Sequence, residues 1–134
     1  MIDIETALFD ELARAVLAEF PGAYVASQHE IAPPTFPAVF IEQTGSAELS
    51  SRRDSSGEEN ADVITWTVDV YSNSEADARE QCRRVFGLID EGMRRWNMRR
   101  LSSRPIDNAA DPTVYRYTGR FTGLVGKDGT MYWR

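Results

Sequence analysis

The chain has 134 residues, of which 42% are hydrophobic, and a formal net charge of −6. This size suits one folded domain with a single core. No apolar run approaches the roughly 20 residues that cross a bilayer, and the N-terminal region is too acidic for a signal or transit peptide. We therefore expect a protein that is made in the cytosol and does not enter a membrane. The single cysteine, Cys82, excludes an internal disulfide and a cysteine metal site.

The charge is distributed unevenly along the chain. Residues 1–77 contain fifteen acidic residues and three arginines, a balance of −12, whereas residues 78–134 contain six acidic residues, eleven arginines and one lysine, a balance of +6. An acidic first helix lying beside a basic second helix would explain this difference within one subunit. A head-to-tail contact between copies, which requires two unlike surfaces on each subunit, would explain it equally well. The charge alone leaves both explanations open.

The N-terminal part predicts a helix followed by two strands. The helix covers 3–19 and ends at the Phe-Pro-Gly segment 20–22, since proline removes a donor and glycine allows the turn. A short strand over 23–28 and a second strand over 38–44 flank a proline-rich connection. The apolar side of the helix is formed by Ile4, Leu8, Leu12, Ala15 and Val16.

A polar insert follows the second strand. Residues 45–60 contain one large apolar side chain, Leu49, and therefore bury too little to fold alone. The insert is either a flexible solvent loop or a segment that gains structure when a partner binds it.

The central part predicts a strand that leads into an amphipathic helix. The strand covers 61–71, and its residues alternate between a core face and a mixed face. Ser74 has the position of an N-cap, with Asp77 as the reciprocal acid three residues later. We expect the apolar stripe of the helix to pack on the core face of the strand. That face consists of Ile64, Trp66, Val68 and Val70, and the stripe consists of Ala78, Cys82, Val85, Phe86, Ile89 and Met93.

The C-terminal part predicts further strands. The arginine-rich stretch 94–104 forms the end of the helix and a strand that leads to Pro105, and 113–122 alternates as a clear strand. A turn at 127–130 precedes the terminal residues. The expected fold is a two-layer α+β domain covering 1–134, with a mixed, mostly antiparallel sheet of four to five strands and two helices on one face.

No group of residues has the spacing of a catalytic or cofactor site. His29 is the only histidine and has no acid or nucleophile at a fixed spacing. The adjacent acids Glu58-Glu59 and Asp90-Glu91 do not converge on one ligand. The glycines near the C-terminus do not lie between a strand and a helix, as a phosphate-binding loop requires. We expect no enzymatic activity, no cofactor and no metal.

The arginines between 79 and 104 surround Trp96 and have the composition of a phosphate-binding surface. The net acidity of the chain opposes long-range attraction to nucleic acid, so we expect no sequence-specific nucleic-acid binding. Arginine is also well suited to bidentate contacts with carboxylates at protein interfaces. A protein partner therefore fits the arginines better.

Taken together, several segments resemble the tail terminator, or tail completion, proteins of long-tailed bacteriophages and prophages. They are the N-terminal helix ALFDELARAVL, the strand start PPTFPAVFIEQ, the polar insert, WTVDVYSNSEADA before the long helix, RRLSSRPIDN, and the strand VYRYTGRFTGLV with a short hairpin after it. The resemblance covers nearly the whole chain.

The resemblance implies a structural α+β subunit without catalytic activity. Such subunits form a ring, commonly hexameric, on the head-proximal end of the tail tube, where they stop tube growth and offer a surface for head docking. The implied partners are copies of the chain, the tail tube protein and a head-completion or connector protein. The implied location is the virion, after a period in the bacterial cytoplasm.

Contacts with these partners are expected through the insert and the arginine-rich segment. A related neck or head-tail completion component would leave nearly the same pattern. A small ligand-binding domain with a pocket beside His29, Trp66 or Trp96 is the further alternative. The candidate contact residues are Glu48, Leu49, Arg52, Arg53, Asp54, Glu58, Glu59, Arg94, Arg95, Arg99 and Arg100.

Overall fold

A computed structural model describes residues 4–28, 30, 33–48, 61–107 and 113–126, and the backbone of 131–132. The elements in chain order are α1 (Glu5–Glu19), β1 (Tyr24–Ala26), β2 (Ala38–Glu48), β3 (Ala61–Ser72), α2 (Ala78–Arg95), β4 (Arg99–Ile106), β5 (Tyr115–Gly126) and β6 (Met131–Tyr132). Neither helix has the length and hydrophobicity needed to cross a bilayer.

The strands form one open mixed sheet in the order β1-β2-β3-β5-β4, with the short β6 beside β5. β1 and β2 are parallel, and every other pair is antiparallel. Because β3 occupies one side of β5 along its whole length, β4 and β6 share the other side. The helices pack on one face of this sheet. The predicted α+β fold is confirmed.

The main core lies between the helices and the central strands. The predicted core face of β3 is fully buried, and the stripe of α2 packs on it, with all its residues buried except the half-buried Ala78. Phe86 of α2 stacks on Phe121 of β5, with ring centroids 5.8 Å apart, and meets Tyr117 edge-on at 4.9 Å. The predicted period-two and helical patterns are therefore confirmed by burial.

The first helix completes this core by packing on α2. Leu8, Leu12 and Val16 are fully buried, as their spacing predicts. Gly92 of α2 allows a close approach at this contact, because a Cβ at position 92 would collide with the side chain of Leu12. The helix–helix contact thus depends on a residue without a side chain.

A smaller apolar cluster lies at one end of the opposite face of the sheet. Phe40 of β2 and Tyr71 of β3 pack edge to face, with ring centroids 5.7 Å apart, and Tyr24 of β1 adds a second edge contact to Phe40 at 6.2 Å. Burial raises the pKa of the Tyr71 phenol, and the nearby Arg116 acts in the opposite direction. This cluster attaches β1 to the sheet.

The start of α2 differs from the prediction. The helix begins at Ala78, with Asp77 in the N-cap position, so the N-cap prediction for Ser74 was wrong. The predicted pair nevertheless forms: Ser74 Oγ donates to the Asp77 carboxylate, and the Asp77 amide donates to Ser74 Oγ at 3.4 Å. These bonds stabilise a turn before the helix instead of its first turn, because Ser and Asp compete for backbone groups in turns as well as at caps.

The second strand is longer than predicted. β2 continues to Glu48, so the first four residues of the segment expected to be a polar insert, 45–48, pair with β3. A bulge between Gln43 and Gly45 interrupts the alternation from which the end of the strand was predicted. Residues 49–60 lie outside the described residues, and so does the predicted turn at 127–130.

The packing of Phe86 predicts a large effect of one methyl group. A Cβ at position 119 would overlap the Phe86 ring, which Tyr117 and Phe121 hold in place. We expect Gly119→Ala to lower the free energy of unfolding by about 1–3 kcal/mol, as overpacking does. Gly87→Ala is the matched control, since position 87 is exposed, lies within α2 and has open space around it. The control should raise stability by about 0.5–1 kcal/mol. Urea unfolding measures both, and equal effects would contradict the packing described.

The buried thiol of Cys82 should be unreactive in the folded protein. Its side chain is fully buried, its sulfur lies 3.6 Å from the Val70 carbonyl oxygen, and burial raises the thiol pKa to about 12. A thiol reagent at pH 8 should therefore label the protein only as fast as it unfolds. The folded protein keeps the thiol protonated up to a higher pH than the unfolded chain does. The contribution of the thiol to the free energy of unfolding should therefore be complete below pH 9 and lost as the pH rises towards 12. Rapid labelling under native conditions would contradict this burial.

Candidate interaction surfaces

Contacts between the two helices pair some of the acidic charge in the first half of the chain with basic charge in the second half. Glu19 of α1 and Arg84 of α2 form an ion pair with a nitrogen–oxygen distance of 2.6 Å, and the Arg84 guanidinium lies 5.2 Å from the Phe20 ring centroid. The Trp96 indole N–H donates to the Glu11 carboxylate. The acidic first helix therefore lies beside the basic second one, as the internal explanation predicts. These contacts involve one arginine and leave most of the others available.

Four arginines flank the turn where α2 ends and β4 begins. Trp96 closes the helix, Asn97 takes a left-handed conformation with φ 57°, and the buried Met98 anchors the turn. The chain therefore reverses within a few residues, which brings the end of the helix beside the start of the strand. We call this group the basic corner; it consists of Arg94, Arg95, Arg99 and Arg100.

The basic corner is only partly neutralised. Asp90 lies between two of its guanidinium groups, 3.6 Å from Arg94 and 3.2 Å from Arg100. The Arg94 and Arg100 side chains are 73% and 48% exposed, so these pairs contribute little to stability and remain accessible. Arg95 and Arg99 are exposed and make no ion pair within the described part of the chain. The corner keeps a positive surplus.

The positive charge continues onto the face of the sheet that the helices leave free, which we call the open face. Directly opposed residues share a face, so Arg120 of β5 and Ser102 of β4 lie there together, with Arg104 one row away. Arg104 and Arg120 are exposed and have no acidic partner among the described residues. Arg116, on the same face, is instead paired with Asp69 at 3.0 Å.

The opposite edge of the sheet is acidic. β1 pairs only with Ala38–Phe40, so the outer side of β2 beyond Phe40 faces no other described strand. Two exposed glutamates, Glu42 and Glu48, lie on this stretch. Glu42 lies in the same row of the open face as Thr67 and Arg120, at the far side of the sheet from β4. One subunit thus carries an acidic edge at β2 and a basic edge at β4.

The structure brings together only some of the predicted contact residues. The four arginines of the basic corner flank one turn, and Arg94, Arg99 and Arg100 line the same groove, whereas Glu48 lies apart from them at the end of β2. The remaining predicted residues fall outside the described part of the chain. They are Leu49, Arg52, Arg53, Asp54, Glu58 and Glu59.

Sequence reasoning missed Glu42 and Arg120 as candidate contact residues, and it included Arg104 only among the arginines with the composition of a phosphate-binding surface. Their significance depends on the strand order, which places β5 between β3 and β4 and so separates the two edges. The alternation of β5 did predict that Arg120 shares a face with Arg116. The side of the sheet on which β4 pairs was not predictable from that pattern.

The described residues contain no group of three or more His, Cys, Asp or Glu side chains that could hold a metal ion. Two shallow grooves occur among them, one of about 230 Å³ at the basic corner and one of about 460 Å³ beside the start of α2. Both are lined mainly by charged side chains of both signs, unlike an apolar ligand pocket. His29 lies outside the described residues.

No protein-family model matches the chain, and no curated protein matches it at a significant level.

Proposed function

We propose that this protein is a structural subunit of a bacteriophage tail, a terminator that forms a ring on the head-proximal end of the tail tube. In this role it stops tube growth and provides the surface to which the head docks. Its partners are further copies of the chain, the tail tube protein and a head-completion protein. The protein acts through its surfaces and transforms no substrate.

One observation carries the proposal: the two ends of the sheet have opposite charge. The β2 edge carries Glu42 and Glu48, and the β4 edge carries Arg99, Arg100 and Arg104. A closed ring needs contacts between two different patches of the same subunit, because identical patches generate dimers instead. Opposite charges on those patches favour the head-to-tail contact and disfavour both self-contacts.

The proposed location on a phage tail rests on the resemblance to tail terminators, and the charged surfaces support an assembly of this kind. The shallow, charged grooves supply neither the buried apolar lining nor the convergent polar groups of a small-molecule site. A binding function through extended surfaces therefore has more support than a catalytic one.

The direct test is tail assembly with the purified protein. Tube subunits from the same phage should polymerise to uncontrolled lengths alone and should stop growing when the protein is added, with a ring visible at one tube end by electron microscopy. Arg95→Glu with Arg99→Glu should weaken capping, whereas Arg83→Glu, an exposed arginine near the start of α2, is the matched control. Tubes that grow unchanged and bear no added density would contradict the proposal.

Solution mass measurements give a second test. The ring contacts are proposed to be electrostatic, so association of the free protein should weaken as the salt concentration rises towards the range in which surface charges are screened. Analytical ultracentrifugation at low and high salt measures this. A chain that stays monomeric at all concentrations, both alone and with tail tubes, cannot be a ring subunit.

The unpaired arginines favour one further candidate, nucleic-acid binding by the β4 side of the open face. Arg99, Arg104 and Arg120 lie on adjacent strands of that face. Binding of this kind requires retention on DNA that falls steeply with salt. Because the chain as a whole is acidic, we expect little retention even at low salt. Strong, salt-dependent retention that is lost in Arg120→Glu would favour this candidate.

A further inference from the structure

We propose that neighbouring copies join edge to edge, with β4 of one copy adding in antiparallel fashion to the free part of β2 in the next, so that one sheet continues around the ring. This inference rests on the ring assembly proposed above and identifies the surfaces that form it.

Both edges are available among the described residues. The outer side of β2 from Ile41 to Ala47 lies beyond the reach of β1, and the outer side of β4 has no described strand beside it. Unpaired backbone N–H and C=O groups on such edges template the addition of another strand. Strand addition is an established mode of protein recognition, in which the main chain supplies affinity and side chains supply specificity.

The strand directions fit this addition. β2 is antiparallel to β3, β3 to β5 and β5 to β4, so β4 runs opposite to β2 within one subunit. A rotation about an axis parallel to the strands preserves these directions. It therefore places β4 of one copy antiparallel to β2 of its neighbour, which continues the alternation already present in the sheet.

Charge selects this pairing over its alternatives. Glu42 and Arg104 are exposed, lie on the open face and make no ion pair within the described regions. Two β4 edges would bring arginines together, and two β2 edges would bring Glu42 close to its own copy, and like charges across strands are destabilising. Only the mixed pairing places opposite charges side by side.

One register satisfies the charges and both bulges. With Glu42 opposite Arg104, the bulge of β2 after Gln43 and the bulge of β4 after Arg100 lie on either side of the pair Gly45–Ser102. Each strand then has one extra residue, so the two shifts in register cancel. Pro105, which has no N–H to donate, then lies opposite Ile41, and the shared pairing ends there because β1 already pairs with Phe40. The opposed pairs in this register are Glu42–Arg104, Gln43–Ser103, Gly45–Ser102 and Ser46–Arg100.

Cysteine trapping tests the register. Gln43→Cys with Ser103→Cys places both thiols on the helix side of the proposed junction, and the buried Cys82 does not interfere. Mild oxidation of the purified double variant at high concentration should give a ladder of linked chains that ends at a closed ring. The matched control is Gln43→Cys with Ser102→Cys, which moves one thiol to the opposite face and should link poorly.

Charge reversal tests the interaction by a separate readout. Arg104→Glu or Glu42→Arg alone should weaken association by about tenfold, and the two changes together should restore it, because the pair is then reversed as a whole. Arg83→Glu should leave association unchanged. Far-ultraviolet circular dichroism confirms that each variant is folded.

The outcomes separate the two proposals. Cross-linked rings from a chain that fails to stop tube growth would support edge pairing and contradict the terminator function. Tube capping by a chain whose Gln43–Ser103 pair does not link, or links no better than the control, would overturn edge pairing and leave the function standing. Failure of the double charge reversal to restore association would also overturn edge pairing.

Discussion

The antiparallel pairing of β3 with β5 is the interaction on which the rest of the structure depends. Its register runs without interruption from Ala61 opposite Gly126 to Ser72 opposite Tyr115, and Trp66 and Phe121 meet at its centre, fully buried. A slip of one residue would turn the buried face of β3 outwards, at a cost of about 1.5–3 kcal/mol for each large apolar side chain exposed. The hydrophobic effect therefore holds the two strands in a single register.

That register also determines where the charges lie. Once Phe121 faces the core, Arg116 and Arg120 must face the opposite side, where Arg99 and Arg104 of β4 also lie. Arg116 is neutralised by Asp69, but Arg120 is left exposed. The same alternation that builds the core thus places a positive surplus on the open face, and β2, on the other side of β3, brings Glu42 to the opposite edge. Core packing and surface polarity share one cause.

Much of the fold was predictable because its central elements carry strong periodic patterns. The alternation of β3 and the stripe of α2 predicted the buried residues, since both patterns extend over many residues and agree with each other. The end of β2 was missed because the bulge at Gln43 and the polar residues that follow remove the alternation on which the prediction relied. The start of α2 was missed because Ser74 and Asp77 bond to each other in a turn as readily as in a cap.

The candidate surfaces were predictable only where they are local in sequence. The basic corner is compact along the chain, so its four arginines had to lie close together whichever way α2 ended. The relation between Glu42 and Arg104 is different, because it depends on the order in which distant strands pair, and no pattern within either strand contains that order.

The close approach at Gly92 has a mechanical consequence. A side chain at position 92 would overlap Leu12, and the indole of Trp96 bonds the same end of α2 to Glu11. These two contacts hold the end of α2, which carries Arg94 and Arg95, against α1. A displacement of α1 would therefore also displace these two arginines.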